Sequence, residues 1–219
     1  MIDPADMTLA ELRAHLIADV AANAAFDGWS DKAVTLAAEM RGIDADVARL
    51  AFKGGAVAMI DAWFESIDRA MAMALPPELL GGMKIRQRIT ALVEARLAAT
   101  APDRESLRRA LAILAMPQNL ATTARLAWRS ADVMWRMAGD TATDYNHYTK
   151  RALLAGIYGA TVQVFLDDDS EGYVDTRAFL ARRVEDIMRF EKTKAGLIAR
   201  TRNRPSLTRF IGRLRYPAV

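Results

Sequence analysis

Two histidines, His15 and His147, and no cysteine stand among the 219 residues. That excludes disulfides, thiolate zinc sites, iron–sulfur clusters and cysteine nucleophiles, and leaves too few ligands for a multi-histidine metal site within one chain. Neither histidine sits in a Glu-x-x-His or His-Glu-x-x-His pair, and no phosphate-binding glycine loop or nucleophile elbow occurs. His147, between Asn146 and Tyr148 at an expected helix start, reads as a capping or surface group. The run Asp167-Asp168-Asp169-Ser170-Glu171 could hold a cation weakly, but a solvated loop with Asp and Ser turn chemistry is the favoured reading. No catalytic, metal or cofactor residue is expected, and a small-molecule enzyme has no motif in its favour.

Apolar side chains offer more. Met59, Trp63, Met71, Met73, Met83, Met116, Met134 and Met137 lie on segments expected to face the interior. Methionine fills irregular apolar space, which suits a cavity for a long lipid chain, and ordinary core packing gives the same pattern. Near the end of the chain Leu207, Phe210, Ile211 and Leu214 fall at helical spacing, flanked by Arg209, Arg213 and Arg215. A short cationic helix with that stripe fits the headgroup boundary of an anionic membrane. It also fits a terminal helix docked on an acidic body.

The elements that must position these residues are helices. Ala, Leu, Met and Arg dominate and no sustained period-2 alternation appears. Thr8 with Glu11 forms a capping box for a first helix to about Ala25, carrying Leu9, Leu12, Leu16 and Val20. Ser30 caps a second, Gly42 closes it in a left-handed conformation, and Asp44 caps a third. Longer helices are expected at 56–75, 83–99, 103–115, 120–137, 146–166 and 175–192, with a last short one from Pro205. The fold class is all-α, about ten helices. Residues 1–193 form a single domain (a helix-turn-helix-like unit at 8–55 and a body at 56–193), followed by a basic tail at 194–219.

Charge is distributed unevenly. Eight of the 30 basic residues lie from Lys192 onward with no acidic residue, leaving 22 basic against 27 acidic before it, a net of −5. The helix-turn-helix-like unit carries Asp27, Asp31, Glu39, Asp44 and Asp46 against Lys32, Arg41, Arg49 and Lys53. A DNA reader needs cations at its presented helix, so a packing unit is expected and no nucleic-acid partner. The longest uncharged stretch, Ala152 to Leu166, is shorter than the roughly 20 residues of a membrane span. The start has neither an apolar signal region nor an Arg-rich presequence. These features imply a cytoplasmic protein whose membrane contact is peripheral.

One segment is recognisable. Met116-Pro117-Gln118-Asn119, Ser130-Ala131-Asp132-Val133-Met134-Trp135, Ala138-Gly139-Asp140 and Thr143-Asp144-Tyr145-Asn146 lead into Tyr148-Thr149-Lys150-Arg151-Ala152-Leu153-Leu154. This resembles the lipid-binding accessory protein family of ubiquinone (coenzyme Q) biosynthesis. Phe26-Asp27-Gly28-Trp29 and Phe179-Leu180-x-x-Arg183-Val184 fit the same family.

The resemblance implies a TetR-like fold with a degenerate helix-turn-helix, and a cavity for isoprenoid quinone or phospholipid, here assigned to Met59, Trp63, Met116 and Met134. It implies a homodimer and a terminal helix engaging membrane through Leu207, Phe210, Ile211, Leu214, Arg209 and Arg213. It further implies a non-catalytic role, presenting the demethoxyubiquinone intermediate to its di-iron hydroxylase, with a partner surface at Asp132, Trp135, Gly139, Asp140, Asp144, Tyr148 and Arg151. Trp135 is expected to be an exposed anchor there. The location implied is the cytoplasmic face of a bacterial inner membrane, or the mitochondrial matrix side in eukaryotic relatives. A TetR-type transcription regulator would share the fold.

Overall fold

The structure is a computed structural model that describes residues 6–141 and 145–202, with side chains over 6–141, 146–187 and 189. Its described residues form ten α-helices: α1 (Leu9–Asp27), α2 (Asp31–Met40), α3 (Ala45–Ala51), α4 (Gly55–Ala74), α5 (Pro77–Gly81), α6 (Ile85–Thr100), α7 (Arg104–Leu114), α8 (Leu120–Met137), α9 (Tyr145–Asp167) and α10 (Val174–Arg202).

Local chemistry sets the first boundaries. The Thr8 backbone N–H donates to Glu11 Oε2 at 2.8 Å while Glu11 N–H donates to Thr8 Oγ1, the reciprocal box expected. Asp44 Oδ1 accepts from Asp46 and Val47 N–H at 2.8 and 3.1 Å, and Ser30 caps α2. Gly42 leaves α2 at φ 65°, a conformation that costs glycine nothing. α8 has the expected limits. α5 was not expected: Pro76-Pro77 reads as a stop, yet Pro77 occupies the first helical position, where its missing N–H is no loss. α10 continues to Arg202, ten residues beyond the expected end at Lys192.

One core joins the helix-turn-helix-like unit to the body. Leu12, Leu16 and Val20 of α1 are buried, with Met59, Ile60, Trp63, Ile67 and Met71 of α4. Leu9 falls outside this stripe and is exposed, and so is Met73, which a two-residue step turns about 200° from buried Met71. Trp29 packs on Trp63 at 5.2 Å between ring centroids, and its indole N–H donates to the Ser106 carbonyl at 3.0 Å. Ser106 Oγ in turn donates to the Ala21 carbonyl at 2.6 Å.

α8 packs against α9, and α9 turns back into α10 through residues 168–173. Asp168 organises that turn: its carboxylate accepts from the N–H and hydroxyl of both Ser170 and Thr176, at 2.5–2.9 Å. The hydroxyl bonds from Ser170 and Thr176 hold its carboxyl well below the usual range. Asp167 pairs with Arg108 at 3.2 Å and Asp169 with Arg104 at 3.5 Å. The aspartate run is therefore a helix-capping turn. Among the described residues, no group of three or more His, Asp or Glu is placed to hold a metal ion.

Candidate functional site

Within the recognisable segment, the stretch from Asp132 onward begins on the last turns of α8. The Gly139 N–H donates to the Arg136 carbonyl at 3.0 Å and the Asp140 N–H to the Trp135 carbonyl at 2.9 Å. Gly139 stands at φ 90°. This paired closure of a helix end needs a left-handed residue, and glycine supplies it. Arg88 of α6 locks the same end, donating to the carbonyls of Met83, Ala138 and Gly81 at 2.9, 2.9 and 3.1 Å.

The closure points Asp140 at the first turns of α9. There the buried Arg151 guanidinium donates to Asp132 Oδ1 at 2.6 Å, Asp140 Oδ2 at 3.1 Å and the His147 carbonyl at 3.1 Å. Lys150 Nζ reaches Asp140 Oδ1 at 2.8 Å, and Arg136 reaches Asp132 Oδ2 at 2.8 Å. Burial opposes the Asp132 charge, but the hydrogen bonds and charges of Arg151 and Arg136 outweigh it and hold the carboxyl below its ordinary range.

This network corrects the expected surface. Trp135 is a core residue, 8% exposed, because its indole N–H finds the Lys150 carbonyl at 2.9 Å and its ring lies under the Lys150 ammonium at 5.3 Å. Arg151 is likewise inside, and Asp132 and Asp140 point inward to it. Gly139 and Tyr148 remain exposed, Tyr148 at 61%. Asp144 lies outside the described residues. Trp128, which the sequence reading did not single out, stands half-buried beside Tyr148 at 6.0 Å and His147 at 6.4 Å. These three rings, above the buried ion network, are the aromatic face that α8 and α9 present.

The four residues assigned to lipid do not share one place. Met59, Trp63 and Met134 are buried in the core, Trp63 between Trp29 and Phe64, whereas Met116 stands exposed at the turn before Pro117. Met116 is thereby removed from an interior wall. A recess of about 450 Å³ opens elsewhere, between α6, α9 and the start of α10, walled by Ala98, Ala101, Phe165 and Tyr173 with Glu94 and Arg177 at its polar side. Its trace in the sequence is the run of alanines at 95, 98 and 101, which leaves space along one helix face. Deeper inside, Arg96 is buried against Asp68, donates to Ser130 Oγ at 3.1 Å and lies over the Tyr158 ring at 5.1 Å. The membrane residues Leu207, Phe210, Ile211, Leu214, Arg209 and Arg213 lie outside the described residues.

On the helix-turn-helix-like unit, Arg41 pairs with Asp19 at 2.7 Å, Lys32 with Asp27 at 2.6 Å, and Arg49 with Asp46. Three of its four cations near α2 and α3 are thus neutralised within the unit.

Residues 120–191 match the COQ9 family model. Three relatives are ubiquinone biosynthesis proteins COQ9, mitochondrial. The rat protein is 45% identical over 101 residues, 46% of this chain and 32% of the relative. The human protein is 34% identical over 173 residues, 76% of this chain and 54% of the relative. The Drosophila melanogaster protein is 28% identical over 168 residues, 75% and 51%. The matches thus reach about half the length of the curated relatives at most. A TetR transcriptional regulator from Nitrosomonas europaea ATCC 19718 superposes at TM-score 0.65 with 22% identity, over 80% of this chain and 97% of that one. That likeness shows the fold. The chain therefore carries a COQ9 domain, spanning the buried Asp132–Arg151 network, on a TetR-like all-helical fold, and is homologous to the COQ9 ubiquinone biosynthesis proteins.

Proposed function

We propose that this protein serves ubiquinone biosynthesis without catalysing a step itself: it binds a quinone-like isoprenoid lipid and presents the demethoxyubiquinone intermediate to its di-iron hydroxylase at a membrane surface. The observation that carries this reading is the COQ9 match across residues 120–191, which contains α8 and α9. An ion network beside the exposed Tyr148 and the half-buried Trp128 and His147 suits a docking face, since a pre-organised surface loses little freedom on binding. Tyr148, with Trp128 and His147, is the proposed contact, and Gly139, Asp132, Asp140 and Arg151 position it. A homodimer and membrane binding through the tail belong to the same reading. No helix among the described residues is long and apolar enough to cross a membrane. The paired cations of α2 and α3 favour this reading over a DNA-binding regulator of the same fold.

The test has two readouts. Lipid extracted from the purified protein should contain an isoprenoid quinone or its precursor by mass spectrometry. Tyr148→Ala should keep its melting profile while weakening hydroxylase binding by about 2 kcal/mol, as hot-spot aromatics do. Absence of quinone-like lipid together with no measurable hydroxylase binding by the wild-type chain refutes the proposal.

A further inference from the structure

We propose that the corner joining α4 to α6, residues 72–86, is a contact surface for an anionic lipid bilayer, distinct from the tail. This rests on the membrane reading above and places on the folded body a surface which that reading leaves to residues 207–214.

The corner displays what a folded domain ordinarily hides. Met71 and Leu80 are buried and anchor it, but Met73 is 77%, Leu79 55% and Ile85 42% exposed. Scattered apolar residues on a surface need no explanation, but these three fall within thirteen residues, where the exposed charges are Glu78 and the two cations Lys84 and Arg86. From Arg69 to Val93 the sole carboxylate is Glu78, against Arg69, Lys84, Arg86 and Arg88. Lys84 and Arg86 flank Ile85, are exposed, and have no ion-pair partner among the described residues. Elsewhere on the surface cations are mostly paired, as Arg41, Arg108, Arg109, Arg125 and Arg129 are. Large apolar side chains beside unpaired cations are the chemistry of a helix lying at an anionic headgroup boundary.

The corner is also built rather than loose. Arg88 ties the Gly81 and Met83 carbonyls to the end of α8, and the Met83 N–H donates to the Leu80 carbonyl at 3.0 Å. Topology adds continuity. Thr176 and Arg177 of α10 share a recess with Ala98 and Ala101 at the far end of α6, and α10 packs along α6 and α9. α10 therefore runs back toward Ile85. At 1.5 Å per residue α6 needs about 20 Å to come from Ala98 to Ile85, while α10 covers about 39 Å from Thr176 to Arg202. α10 is thus long enough to pass the level of Ile85, and Leu207, Phe210, Ile211 and Leu214 follow it in sequence.

Flotation of the full chain on phosphatidylcholine vesicles, with and without phosphatidylglycerol, tests this. The variants are the double substitution Leu79→Asp with Ile85→Asp, and Phe210→Asp. Because the chain has no cysteine, Leu79→Cys also accepts a single environment-sensitive dye, read in both the wild-type and the Phe210→Asp background. The double variant should partition about tenfold less onto phosphatidylglycerol vesicles, and the dye at 79 should shift to the blue on them, in the Phe210→Asp background too. If the double variant floats like wild type and the dye does not shift, while Phe210→Asp no longer floats, the corner proposal falls and the tail reading stands. If the double variant is lost and Phe210→Asp floats like wild type, the corner stands and the tail reading falls. A wild-type chain that floats on neither vesicle overturns both. Should the double variant not fold, the dye shift decides.

Discussion

Replacing Arg151 by Leu tests whether the ion network under the aromatic face holds the α8–α9 junction together. The guanidinium is buried, 2.6 Å from Asp132 and 3.1 Å from Asp140. Breaking a buried pair by removing one partner costs about 3–5 kcal/mol, because the other charge stays behind uncompensated. Here each carboxylate keeps a second, more exposed cation, Arg136 for Asp132 and Lys150 for Asp140. The loss should accordingly be smaller, about 2–4 kcal/mol at pH 7, a large part of the 5–15 kcal/mol typical of a domain. The sign with pH follows from the depressed Asp132 carboxyl. Stability from a depressed acid is fully present above its unfolded value, about 3.9, and disappears as pH falls toward the folded value. The difference between wild type and Arg151→Leu should therefore shrink on acidification below about pH 4. Urea unfolding followed by far-ultraviolet circular dichroism gives both numbers, with the m-value as a check that the unfolded reference is unchanged. A loss under about 0.5 kcal/mol at pH 7, or one equally large at pH 3, would refute the electrostatic account.

Trp135→Ala should lower stability by about 3–5 kcal/mol in the same assay, since the indole is packed and its N–H bonded; a neutral effect would restore Trp135 as a surface anchor. Gly139→Ala forces an L side chain to φ 90° with its Cβ 3.1 Å from the Arg88 guanidinium, and should lower the melting temperature with a cost of about 1–2 kcal/mol. Asp168→Asn should lower the melting temperature at pH 7 and flatten the acid arm of the stability profile below about pH 4, because the wild-type carboxyl is depressed by its hydroxyl and amide donors. An unchanged acid arm would show that the turn before α10 does not depend on that charge.

Punctuation made much of the fold legible. Thr8, Ser30 and Asp44 announce three helices through capping groups that act within a few residues, and Pro117 with Gly139 brackets α8. α5 escaped because proline both ends one helix and starts another, and the sequence does not say which. The site was legible as a segment but not in its orientation. Whether Trp135 faces in or out depends on a carbonyl fifteen residues away, that of Lys150, which no local pattern reveals. Arg96 did carry a signal: it sits among Ile89, Leu92, Val93 and Leu97 on the buried face of α6, where a cation needs a partner. Met116 reads as one more core methionine, yet Pro117 turns the chain outward beside it.

The bonds that Ser106 and Trp29 make across the N-terminal unit also bear on how the molecule opens. Trp29 reaches the Ser106 carbonyl, Ser106 reaches the Ala21 carbonyl, and both links are buried. Separating α1–α3 from the body would strip these groups of partners and expose the tryptophan contact as well. The unit then has no low-energy opening of its own. Its most protected amides, those of α1, should exchange with deuterium only when the whole molecule unfolds, at the same free energy as the core of α4. Exchange of that kind would make the helix-turn-helix-like unit a keystone of one cooperative fold.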